Sequence, residues 1–72
     1  MDYIVSFDNI ESVEYMEKGI PITQFLINTH LIPNNLLKKD DRVQINGKNY
    51  LVIDIIFLDI IGNIILKCVE EE

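Results

Sequence analysis

Apolar and polar positions alternate with a two-residue period over several short runs, and no stretch holds a helical period for three turns. Tyr3 to Phe7 (YIVSF) predicts a first strand, ended by the turn-prone pair Asp8 and Asn9. From Ser12 to Ile27, the positions Val13, Tyr15, Ile20, Ile22, Phe25 and Ile27 predict two strands joined at Lys18–Gly19. An amphipathic helix from Asn9 to Lys18 competes, because Ile10, Val13 and Glu17 also fall on a helical spacing, with Asn9 as cap and Gly19 as stop. Pro21 removes a ladder donor, so the second of these strands is expected at an edge or with an irregular start. Leu31 to Asp41 (LIPNNLLKKDD) predicts a connection, from which Leu36 and Leu37 fold back onto the core. Arg42 to Asn46 alternates again, and Asn46–Gly47 supplies the left-handed residues of a tight hairpin. The returning strand runs from Asn49 to about Asp59, a turn follows near Gly62 and Asn63, and a last strand runs from Ile64 to Val69. Glu70 to Glu72 form an acidic, solvated tail.

These elements predict an all-β or β-rich fold: a single domain over residues 1–72, a small barrel of about five strands with room for one short helix. The strand after Gly47 carries Tyr50, Val52, Asp54, Ile56 and Leu58 on one face and Leu51, Ile53, Ile55 and Phe57 on the other. With both faces mostly apolar, a second subunit is the simplest cover, and Ile53, Ile55, Phe57 and Asp54 are the expected assembly residues. Residues 20–37 wrapping the outer face within one chain are the alternative. Asp54, an acid inside YLVIDIIFL, needs a bulge, an exposed position or a cationic partner such as Arg42 or a neighbouring chain's lysine.

Size sharpens the assembly argument. A 72-residue chain buries only about 60% of its unfolded surface, and a core of that size supplies about 3–5 kcal/mol without disulfides, metal or oligomerisation. One cysteine, Cys68, closes no intrachain disulfide, and with one histidine, His30, it falls short of a four-ligand zinc site. Oligomerisation remains, with no cofactor or metal expected. The acidic start MDYIVSFDN does not read as a secretory signal, and a lone thiol suits a reducing compartment, so a cytoplasmic location is expected. The apolar stretch Leu51 to Leu66 contains Asp54, Asp59, Gly62 and Asn63; each central Asp costs about 2.5–3.5 kcal/mol to insert in a bilayer, so no membrane span is expected.

The net charge of −6 is unevenly spread. Asp2, Asp8, Glu11, Glu14 and Glu17 make the first 17 residues acidic, whereas Lys18, Lys38, Lys39, Arg42 and Lys48 make the middle basic. An acidic whole argues against a direct duplex nucleic-acid binder. Lys38, Lys39, Arg42 and Lys48, with Tyr50 for stacking, are the candidate site for a small anionic ligand such as a nucleotide at a subunit interface. Glu11, Glu14 and Glu17 are the candidate partner-binding acids, lining one face if helical and scattering over both if extended. The glycines are isolated from any phosphate-loop pattern, and His30 and Cys68 sit in no catalytic motif, so a non-catalytic role is expected.

The run PNNLLKKDDRVQINGKNYLVIDIIF, residues 33–57, resembles small phage or mobile-element-encoded SH3-like β-barrel proteins: a proline, a leucine, an acid before an alternating strand, a Gly-Lys turn, then Tyr-x-Val. Asp40 stands where a glycine commonly precedes the acid in such proteins. The resemblance implies a small SH3-like barrel that binds and blocks a host factor. Three roles follow as expectations: a homo-oligomer sequestering a small anionic signal, an acidic inhibitor docking on a host protein or nucleic-acid enzyme, or a structural virion component.

Overall fold

The computed structural model describes residues 6–31 and 37–71. Among the described residues six strands form one sheet: β1 (Ser6–Phe7), β2 (Ser12–Glu17), β3 (Ile20–Asn28), β4 (Arg42–Ile45), β5 (Lys48–Phe57) and β6 (Asn63–Glu71). Their order is β1-β4-β5-β6-β3-β2. All neighbours pair antiparallel except β1 and β4, which run parallel. The β-rich class therefore holds, with six strands where about five are expected. The described helical content is a single 3-10 turn, Thr29–Leu31, and no helix among the described residues is long and apolar enough to cross a membrane.

Both tight hairpins form where the turn chemistry places them. Lys18 and Gly19 (φ 52° and 79°) join β2 to β3, and Asn46 and Gly47 (φ 54° and 78°) join β4 to β5. Paired left-handed residues twist the connection the same way as the flanking strands. The competing helix over 9–18 gives way to β2, whose six residues pair with β3 from Ser12↔Phe25 to Glu17↔Ile20. Pro21 sits in β3 opposite Met16, but the ladder from β3 to β6 starts only at Thr23, so its missing N–H interrupts no bond on that side. Of the expected first strand, Ser6 and Phe7 pair with Gln44 and Ile45; Tyr3, Ile4 and Val5 lie outside the described residues.

One apolar core fills the inner face. Phe25 and Ile27 of β3, Val43 and Ile45 of β4, Tyr50 and Val52 of β5, and Ile64, Leu66 and Cys68 of β6 are buried together, closed by Phe7 and Leu37. Phe25 and Tyr50 meet edge to face at 5.0 Å and 74°, the geometry that aromatic quadrupoles favour. Leu37 folds back as expected, and Leu36 lies outside the described residues. Asn46 does more than turn the chain. Its Nδ2 donates to the Ile10 carbonyl at 2.8 Å, its Oδ1 accepts from the Ile10 N–H at 3.0 Å, and its backbone N–H donates to the Phe7 carbonyl at 2.8 Å, so one side chain moors the N-terminal segment.

The two-faced apolar strand is corrected by a bulge. Val52 lies opposite Cys68 and Asp54 opposite Lys67, leaving Ile53 as an extra residue. An extra residue reverses the facing of everything after it. Tyr50 and Val52 point inward, and beyond the bulge Ile55 takes the inward position and packs against the core, opposite Leu66. Asp54 and Ile56 are turned outward, opposite Lys67 and Ile65. Strand β5 thus has one core face from end to end, and the premise that its faces demand a second subunit falls. Ile55 packs against the domain's own core while staying half-buried, so its facing no longer argues for a second subunit.

Candidate interaction surface

Within the single chain the residues of the expected anion site do not converge. Tyr50 is only 3% exposed and packs on Phe25, so it offers no ring to a ligand. Burial, then Glu70 and Glu14, push its hydroxyl above the ordinary tyrosine value. Arg42 Nε lies 3.2 Å from Glu71 Oε1, an ion-pair contact without hydrogen-bond alignment. Lys48 sits at the Asn46–Gly47 turn, three positions from Arg42 along β4, or about 10 Å at the rise of a strand. Because Arg42 alternates with the inward Val43, while Lys48 aligns with the inward Tyr50, the two cations leave opposite faces of the hairpin. Lys38 and Lys39 are exposed beyond Leu37, where the Lys38 N–H donates to Asp41 Oδ2 at 2.7 Å.

The acids are scattered too. Extended β2 puts Glu14 on the core side with Ser12 and Met16, and Glu17 on the outer side with Val13 and Tyr15. Glu17 accepts from Lys67 Nζ at 3.4 Å. The Tyr15 hydroxyl, foremost, and Glu17 hold that ammonium above the usual lysine value, and Gln24 Nε2 donates to the Tyr15 hydroxyl at 2.9 Å. Glu14 is exposed on the edge strand, where acids blunt strand-to-strand pairing, and Glu11 is exposed just before it. Asp54 is exposed, its Oδ1 accepting from the Ile55 N–H at 2.9 Å, and it pairs with neither Arg42 nor a buried partner.

Reactive groups are kept apart. Cys68 is 0% exposed in the core, where burial pushes its thiol up to about 12. His30 is exposed on the 3-10 turn. Among the described residues no group of three His, Cys, Asp or Glu side chains is placed to hold a metal ion.

What the fold does gather is apolar surface at one end of the sheet. The β5–β6 loop leaves Phe57 76% exposed, Ile61 67% exposed and Ile60 fully exposed, with Leu58 half exposed beside them. Leu26, Ile65 and Ile56 lie side by side across β3, β6 and β5 on the outer face and continue the patch. A cleft of about 420 Å³ on one side of the loop is lined by Leu37, Ile55, Phe57, Ile60, Gly62 and Ile64, among others. A second, of about 320 Å³, on the other side is lined by Glu11, Val13, Leu26, Leu58 and Ile65, among others.

A polar lattice holds this apolar loop in shape. Asp59 Oδ1 accepts from the backbone N–H of Ile61 and of Asn63, each at 3.1 Å, and Asp59 Oδ2 accepts from Asn63 Nδ2 at 2.9 Å. The Asn63 side-chain bond, then its backbone N–H, keep the Asp59 carboxyl below its usual value. Asn28 Nδ2 donates to Asn63 Oδ1 at 3.1 Å and to the Ile61 carbonyl at 3.3 Å, and the Thr29 N–H donates to the Gly62 carbonyl at 2.7 Å. Gly62 has φ 98°, and a Cβ there would run into Thr29 Oγ1, so glycine alone lets the loop close on the 3-10 turn. Sequence reading marked Phe57 but missed Leu58, Ile60 and Ile61 as surface residues; the signal available was the apolar run LDII continuing past the strand into a turn.

No protein-family model, curated protein or solved structure matches the chain.

Proposed function

We propose that the chain is a non-catalytic binding module whose working surface is the apolar end of the sheet. One observation carries this reading: Phe57, Leu58, Ile60 and Ile61 stand in water on a loop that Asp59, Asn63, Asn28 and Thr29 lock into one shape. Water-exposed apolar patches of this extent mark interaction surfaces, and a locked loop loses little conformational entropy when it binds. The full burial of Cys68 in the core, where its thiol is raised, supports contact rather than covalent chemistry as the mode of action.

Sequestration of a small anionic ligand between copies is the second reading. It is favoured by the position of Lys38 and Lys39 directly after Leu37, which lines the larger cleft. With the phage-type source implied by the resemblance at residues 33–57, either reading makes the chain a blocker of a host factor.

The test is native mass spectrometry on protein purified from cells without a denaturing step. The expected result is a discrete complex heavier than the 8.4 kDa chain, dissolved by Phe57→Ser and retained by the distant Lys48→Ser. Nucleotide-sized extra mass that is lost on Lys38→Ser/Lys39→Ser would favour the second reading. A bare monomer both when purified and in cell extracts would overturn both.

A further inference from the structure

We infer that the occupant of the apolar end is a second copy of this chain, joined in an isologous pair through the β5–β6 loops. This rests on the binding-module reading above and narrows it to one partner. The area argument comes first. Leu26, Ile56, Phe57, Leu58, Ile60 and Ile61 have exposures from 40% to 103%. At about 150 Å² for a fully exposed large side chain, the low end of the aromatic range, they leave roughly 600 Å² of apolar surface in water. A standard stable interface covers about 800 Å² per partner, and a homodimer interface is about 65% apolar, which calls for roughly 520 Å². The patch is large enough to be the centre of such an interface without recruiting any other part of the molecule.

Its shape is self-complementary. The loop is a ridge carrying Ile60 and Ile61, flanked by the clefts of about 420 and 320 Å³. A ridge beside a groove on one surface is what a two-fold axis requires, since each copy then offers the ridge that the other's groove receives.

Charge points the same way. Each chain carries −6, so two copies repel unless their acids are held apart. Glu17 lies at the Lys18–Gly19 turn and Glu70 and Glu71 at the far end of β6, the opposite end of the sheet from the loop. Asp59, the carboxylate of the loop itself, is turned into the loop by its three hydrogen bonds, which leaves Glu11, on the lining of the smaller cleft, as an acid that faces the docking surface. Residues 55–66 contain neither lysine nor arginine, so the loop itself lacks the cations that an acidic partner or an anionic lipid surface would draw on; Lys38 and Lys39 follow Leu37, which lines the larger cleft. A small core without disulfide also leaves assembly as the available source of extra stability.

Light scattering on the purified wild type across a dilution series tests this, expecting a mass of twice the 8.4 kDa chain at high concentration. Ile60→Asp and Ile61→Asp are each expected to weaken the dimer about thirtyfold or more, the loss of an interface hot spot. Both positions are solvated loop sites, so far-ultraviolet circular dichroism should be unchanged; Lys48→Ser is the control that leaves dimerisation unaltered. A wild type that stays monomeric, a dimer indifferent to both substitutions, or a monomer that sediments with phosphatidylcholine vesicles would overturn the inference. A monomer when pure that was heteromeric in cell extracts would sink the second-copy partner alone; a monomer in both settings would sink the binding-module reading as well.

Discussion

The bulge at Ile53 makes Ile55 and Ile56, two adjacent isoleucines, energetically unlike, and placing an aspartate at each tests this directly. Ile55 packs against the core opposite Leu66, whereas Ile56 is 40% exposed on the outer face opposite Ile65. At about 0.05–0.15 kcal/mol per residue, a domain of 72 residues has roughly 4–11 kcal/mol of stability. Ile55→Asp forfeits about 1–2 kcal/mol of apolar burial and adds about 1–3 kcal/mol for a polar group without a partner. The total, about 2–5 kcal/mol, is a large share of the whole. Ile56→Asp should cost about 1 kcal/mol or less, because its carboxylate stays in water. Urea unfolding followed by circular dichroism, in a dilute range where copies are separate, reads the difference. With m near 1 kcal/mol per molar for so small a chain, Ile55→Asp should lower the midpoint by about 2–5 M and Ile56→Asp by about 1 M or less. Unbroken alternation from Val52 would instead put Asp54 and Ile56 in the core. Equal midpoints, or Ile56→Asp as the worse variant, would therefore refute the bulge and with it the one-faced strand.

Two further outcomes follow from the loop and the core. Gly62→Ala should destabilise both through its φ of 98° and through the clash with Thr29 Oγ1; adding Thr29→Ala should recover the steric part but not the backbone part, giving a coupling of about 0.5 kcal/mol or more in a double-mutant cycle. Cys68, with its folded thiol raised to about 12, contributes stability that is complete below the unfolded value of about 8.5 and is lost as pH rises toward the folded one. Wild type should therefore lose stability between about pH 8.5 and 10, whereas Cys68→Val should not over the same interval, and a thiol reagent should label Cys68 only as fast as the domain opens.

How much of this was legible follows from the range of each signal. The two hairpins were readable because Lys18–Gly19 and Asn46–Gly47 each carry their conformational requirement in the residues themselves. Leu37 was readable as an apolar residue standing directly before the charged run Lys38–Asp41 of the connection. The facing of β5 was not readable, because alternation and alternation with one inserted residue give the same mixture of Ile, Val and Phe; only Asp54, stranded in an apolar run, signalled a break. Tyr50 was read as a ligand platform because it lies near lysines in sequence, but position in a strand ladder decides facing, and its place opposite Val43 carries it into the core. Arg42 and Lys48 were grouped by proximity along the chain, yet the odd offset across β4 separates them onto two faces.

Assembly survives as an idea while its stated cause changes. The expectation rested on strand faces that no single barrel covers, and the bulge removes that reason by returning Ile55 to the domain's own core. The apolar excess has not vanished; it is displaced along the chain to Phe57, Leu58, Ile60 and Ile61, past the point where the ladder can bury it. A loop built only to connect β5 and β6 would be served by polar turn residues, and the polar residues that are present, Asp59 and Asn63, spend their hydrogen bonds on the loop's interior rather than on solvent. Such an arrangement holds four large apolar side chains outward in fixed positions, at the end of the sheet remote from Glu17, Glu70 and Glu71. Solubility alone would select the reverse arrangement, with the polar groups outside and the apolar ones within, and the proposed contact between copies supplies the reason that solubility does not.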